Sequence, residues 1–120
     1  MNDNKNFGYL GHTFQLKLLN LIITDNKFFK VIIDAILAKY FDNQYFKLVM
    51  QLIKEYYEKY ETSPSFDALD QLTRIEISSE MARKNIFDML KEIKEASFED
   101  HLFVKEKSIK FCKQQELKKA

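Results

Sequence analysis

Two glycines and one proline stand among 120 residues, so the turns of this chain must be marked by polar clusters instead of the usual breakers. Between those clusters apolar side chains recur at three- and four-residue spacing. No run alternates with the period of two that a half-buried strand requires. The pattern predicts an all-α chain of about six helices.

The first helix is expected over Thr13–Ile23, with Phe14, Leu18, Leu21 and Ile22 on one face. Asp25 carries the short acceptor wanted at an N-cap and opens a second helix through Phe28, Phe29, Ile32, Ile33 and Ile36. Asp42 is the expected cap of a long third helix, Asn43 to about Tyr60, whose stripe runs Tyr45, Leu48, Val49, Leu52, Ile53, Tyr56 and Tyr60. Pro64 disfavours helix at Ser63, and Ser65 can cap a short fourth helix bearing Phe66, Leu69 and Leu72. Ser78-Ser79 restarts the chain into a fifth helix, Glu80 to about Glu95. Ser97-Phe98-Glu99-Asp100 resembles a capping box and opens a sixth.

The last two helices read differently from the others. The fifth carries Ala82, Ile86, Met89, Ile93 and Ala96 on one stripe and Phe87 and Leu90 on another; the sixth carries Phe98, Leu102, Ile109 and Cys112, with Val104 and Phe111 about a third of a turn away. A short link from Ala96 to Phe98 makes them a candidate antiparallel hairpin. Apolar groups on two sides mean that such a hairpin either lies deep in the domain or meets another chain. The expected organisation is a mobile segment 1–6, a compact four-helix head over 7–77 and the hairpin over 78–120. The end, Gln114 to Ala120, has no glycine cap and no breaker, and reads as a helix cut before a linker.

Composition removes several kinds of chemistry. Gly8 and Gly11 have neither the spacing nor the following lysine of a phosphate loop, and a dinucleotide fingerprint needs three glycines. One cysteine forms no internal disulfide and no Cys-based zinc site. No apolar run reaches the roughly 18–20 residues that span a bilayer, and the start, Met1 to Lys5, has no signal-peptide core. Nineteen basic and 18 acidic side chains leave a formal charge of +1, too little to steer the chain to nucleic acid or a membrane.

Catalytic and metal constellations are missing from the pattern. His12 and His101 are far apart, and Cys112 reads as a small buried hydrophobe. Asp25, Asp42 and Asp100 fall at helix starts. Glu55, Glu58, Glu92 and Glu95 alternate with lysines as on a solvated face. The aromatic run Tyr40, Phe41, Tyr45, Phe46, Tyr56, Tyr57 and Tyr60 among lysines reads as core before it reads as a stacking platform for bases. No catalytic, cofactor-binding or metal residue is assigned.

The ordered elements resemble the N-terminal domain of DnaB-type replicative DNA helicases, the phage branch best. The residues that carry this are Leu18 to Asp25, Phe28-Phe29, Ile36-Leu37-Ala38-Lys39-Tyr40-Phe41 with Tyr45 after them, and the turn Ser63-Pro64-Ser65-Phe66 after a long helix. Val104-Lys105-Glu106-Lys107 with Ile109 and Phe111 completes the set. The resemblance covers about residues 7–120; between Arg74 and Ser97 it lies in helical character alone. It implies a collar domain in a hexameric DNA-replication helicase that associates with other subunits and docks primase or a helicase loader, in the cytoplasm of a bacterial cell or phage-infected host. ATP and magnesium are implied only for a separate motor domain, so this chain is not expected to be an enzyme by itself, and little direct DNA binding is expected. The terminal hairpin, about Glu80–Lys119, is where subunits are expected to pair, through Met89, Ile93, Leu102, Ile109, Cys112 and Leu117. The alternative is a free-standing small helical phage DNA-binding or regulatory protein, which only two arginines are present to serve.

Overall fold

The computed structural model describes residues 5–119, all of whose regular elements are helical. Residues 1–4 of the segment read as mobile, and Ala120 at the uncapped end, lie outside the described residues. Asn6 accepts from the Gly8 N–H at 2.7 Å and starts a 3-10 turn, Phe7–Leu10, that buries Phe7 completely. Gly11 then takes φ 93°, a region that only glycine occupies without strain, and redirects the chain into helix α1, His12–Thr24.

Asp25 caps α2, Asn26–Ile32, through the Phe28 N–H. This helix stops four residues before Ile36, where the apolar spacing predicts it to end. A turn and a second 3-10 segment, Ala38–Tyr40, carry Ile36, Tyr40 and Phe41 into the core, so the core is filled without helical backbone. Helix α3, Gln44–Tyr60, is capped by Asn43 and not by Asp42; the Asp42 N–H donates to the buried Gln15 side chain at 3.1 Å. Helices α4, Phe66–Glu76, and α5, Glu80–Lys94, start under the serine caps that the sequence suggests, Ser65 and Ser79.

The sixth helix corrects the expected capping box. Ser97 binds Glu99 locally, and α6, His101–Lys119, begins only after Asp100 turns to φ 62°. The link from α5, residues 95–100, is therefore longer than the Ala96–Phe98 joint expected. More importantly, α5 and α6 make few contacts with each other. Helix α1 is the hub: α2, α5, α6 and the first 3-10 turn all pack on it, while α5 also packs on α3 and α4. One core joins Leu18, Ile22, Phe29, Val49 and Leu69 of the first helices to Ile86, Ile93, Val104 and Phe111 of the last two. A radius of gyration of 13.8 Å, against about 13.6 Å for a compact chain of this length, leaves no projecting arm.

Polar ties run through the same hub. Asn20 donates to the Ile93 carbonyl at 3.0 Å, holding α1 to the end of α5. Ser63 donates to the Ile22 and Ile23 carbonyls, fixing the proline turn against the end of α1. Asn85 donates to the Tyr45 hydroxyl at 2.9 Å, joining α5 to α3.

Candidate docking surface

The six residues expected to pair subunits divide into three groups. Met89, Ile93 and Cys112 are buried in the chain's own core, so the expectation that they face another chain is corrected for these three. The two-sided apolar pattern of α5 has an internal cause: one side meets α1 and α3, the other meets α4. Ile109 is half-buried against the core. Only Leu102 and Leu117 stand out into solvent, at 69% and 76% exposure.

The inward stripe of α6 is Val104, Ser108, Phe111 and Cys112, at the spacing of one helical face. Leu102 and Phe103 lie off that stripe, at the start of the helix. Phe98 joins them from the preceding loop, with its ring stacked on His101 at 3.8 Å between centroids. Further along, Ile109, Cys112, Lys113 and Glu116 face Val31 and Ile32 of α2 and Ala35 of the following turn across a shallow groove of about 190 Å³. Val31 is itself exposed. Exposed apolar residues thus stand near both ends of α6, Phe98, Leu102 and Phe103 at its start and Leu117 at its end, with the groove and its charged rim of Lys113 and Glu116 between them. The sequence signal for Val31 and Phe103 is an apolar residue out of phase with its helix's core stripe.

One charged contact fastens α6 beside this surface. Lys105 Nζ lies 2.6 Å from Asp25 Oδ2 and 6.0 Å from the Phe28 ring centroid. The Lys105 ammonium and then the Phe28 N–H hold the Asp25 carboxyl below the usual carboxylate range. A second tie, Lys17 to Asp100 at 3.6 Å, reaches the loop where α6 begins.

Behind the groove lies a buried polar group with no obvious task. The Tyr40 hydroxyl has no hydrogen-bond partner. Burial raises its pKa, and burial with the nearby Glu116 pushes the Cys112 thiol up to about 12. Such a thiol is protonated and unreactive at neutral pH. Lys54, lowered by burial, completes the neighbourhood.

The histidines are separate. His12 meets Glu92 at 3.3 Å and packs its ring against Phe46, while His101 stacks at the exposed corner. Among the described residues no group of three His, Cys, Asp or Glu side chains is placed to hold a metal ion, and no helix is long and apolar enough to cross a membrane. Compared with known proteins, the chain matches no family model, no curated protein and no solved structure.

Proposed function

We propose that this chain is a collar domain of the DnaB type: a helical module that associates with copies of itself and docks partner proteins, primase or a loader, beside a separate helicase motor. The observation that carries this reading is the convergence of the residues on which the family resemblance rests. Asp25 and Phe28, from the first two of those segments, meet Lys105 from the last, 80 and 77 positions away. Leu18, Leu21, Ile22, Phe29, Ile36, Tyr40, Phe41, Val104 and Phe111 share one core.

Self-association uses the outward face of α6, with Leu102 and Leu117 near its ends. Met89, Ile93 and Cys112 act from inside, by holding α5 and α6 on α1.

The reading is tested in the gene and in the longer product. It predicts that the reading frame continues past residue 120 through a linker into a domain with a Gly-x-x-x-x-Gly-Lys-Ser/Thr loop, and that the longer protein hydrolyses ATP faster when single-stranded DNA is added. A frame without that motif overturns it. Tight, salt-dependent duplex binding by this chain alone favours the DNA-binding alternative instead.

A further inference from the structure

Helices α4 and α5 enclose a second groove, away from the α6 surface. Its walls are one ridge from each helix: Phe66, Asp70 and Arg74 on α4, and Phe87, Leu90, Lys91 and Lys94 on α5. The spacing i, i+4, i+8 on one side and i, i+3, i+4, i+7 on the other keeps each set on a single face. The volume is about 350 Å³, at the low end of the roughly 300–1,000 Å³ of ligand clefts. It therefore holds a side chain or two of a partner, and not a whole helix.

Arg74 is the informative residue. Asp70 stands one turn before it, the spacing of a helical ion pair, yet the two are not paired. The guanidinium lies instead over the Phe87 ring, 4.9 Å from its centroid. Stacking occupies the face of the guanidinium and leaves its edge, with the N–H donors, free. Lys91 and Lys94 are equally unclaimed: the ion pairs among the described residues join His12 to Glu92, Lys17 to Asp100, Lys84 to Asp88 and Lys105 to Asp25. Three cations against one carboxylate thus rim an apolar floor of Phe66, Phe87 and Leu90.

From this charge asymmetry we infer that the α4–α5 groove binds an acidic protein segment, an apolar side chain seated on Phe66, Phe87 and Leu90 and its flanking carboxylates taken by Arg74, Lys91 and Lys94. Asp70 favours a peptide over a nucleic acid, because it repels an unbroken run of phosphates but tolerates carboxylates spaced by neutral side chains that can face it. The inference gives the docking role proposed above a surface and a partner chemistry, and it is read at groove residues that include none of α6, so it stands or fails apart from self-association.

The test is a titration of the ¹⁵N-labelled full chain with the probe acetyl-Glu-Phe-Glu-Glu-Leu-amide, followed by amide chemical shifts. Saturable shifts are expected at Phe66, Arg74, Phe87, Leu90 and Lys91. Replacing the probe's glutamates by glutamines should weaken binding about threefold or more, the scale of an exposed charge pair. Arg74→Gln and Lys91→Gln, both at exposed positions, should do the same while leaving the rest of the spectrum unchanged. The inference is overturned by the absence of shifts in the groove at about 5 mM probe, or by equal binding of the glutamine probe. It is also overturned if an oligo-dT strand binds there more tightly than the acidic probe, or if the groove signals move with protein concentration alone, which marks a second copy as the occupant.

Discussion

Asp25 performs two tasks with one carboxylate, and removing it should separate them. One oxygen caps α2 by accepting from Phe28 at 3.0 Å; the other accepts from Lys105 at 2.6 Å. Helix α2 has seven residues, too few to persist without packing and a cap. Loss of an N-cap costs about 1 kcal/mol. The ion pair, with its side chains 27% and 25% exposed, should contribute about 1 kcal/mol, the upper end for pairs near a surface. Asp25→Ala should therefore destabilise by about 2 kcal/mol. Asp25→Asn keeps a capping oxygen and loses only the charge, about 1 kcal/mol. Lys105→Met preserves the alkyl packing over Phe28, and its cycle with Asp25→Asn should return a coupling of about 1 kcal/mol. Urea unfolding at pH 7, followed by far-ultraviolet circular dichroism, gives the free energies of all five proteins, wild type, the three single variants and the double variant.

The pH dependence supplies an internal check. Because the folded pKa of Asp25 is depressed, its contribution is present above the unfolded value of about 3.9 and fades as pH falls through the lower folded value. The gap between wild type and Asp25→Asn should be flat from about pH 5 to 7 and close below about pH 4. A coupling under about 0.3 kcal/mol, or an Asp25→Ala no worse than Asp25→Asn, refutes the two-task account.

Three further outcomes follow from the same structure. Tyr40→Phe removes a buried hydroxyl without a partner and should raise stability by about 1 kcal/mol, read as a Tm higher by about 4 °C; a loss of that size shows that the hydroxyl is satisfied in solution. Ile93→Ala should cost about 3 kcal/mol and Leu102→Ala less than about 0.5 kcal/mol in chemical unfolding, and similar costs at both contradict the division between core and surface. The Cys112 thiol should react with Ellman's reagent at pH 8 only as fast as the chain opens, while immediate stoichiometric labelling contradicts its burial.

Helix type and most helix starts were legible in the sequence because they depend on local chemistry. Asp25, Ser65 and Ser79 cap where a short acceptor precedes an apolar period. The failures occur where a distant residue decides. Asn43 caps α3 while Asp42, one residue earlier, is tied through its N–H to the distant Gln15, and nothing local distinguishes those neighbours. Helix α2 ends without glycine or proline because the core accepts Ile36 and Tyr40 from turns as readily as from a helix. Ser97 satisfies its own loop, and the positive φ at Asp100 has no glycine to announce it.

The candidate site was less legible for a related reason. An apolar stripe records that a residue is buried, not which chain buries it. Met89 and Ile93 carry the same pattern whether α5 lies between α1, α3 and α4 or against another subunit. Leu102 and Leu117 differ only in lacking an inward neighbour, which the folded chain reveals. Arg74 lay in the segment where the resemblance is weakest, and its stacking on Phe87 depends on the antiparallel placement of two helices.

We propose that copies of this chain join through the outer face of α6. Sedimentation velocity over a range of protein concentrations tests it most directly, with wild type and a Leu102→Asp, Leu117→Asp variant run side by side. The account predicts a concentration-dependent dimer or larger species for wild type and a folded monomer for the variant, with unchanged circular dichroism. A wild type that remains strictly monomeric at the highest concentration, or a variant that associates as strongly, contradicts it.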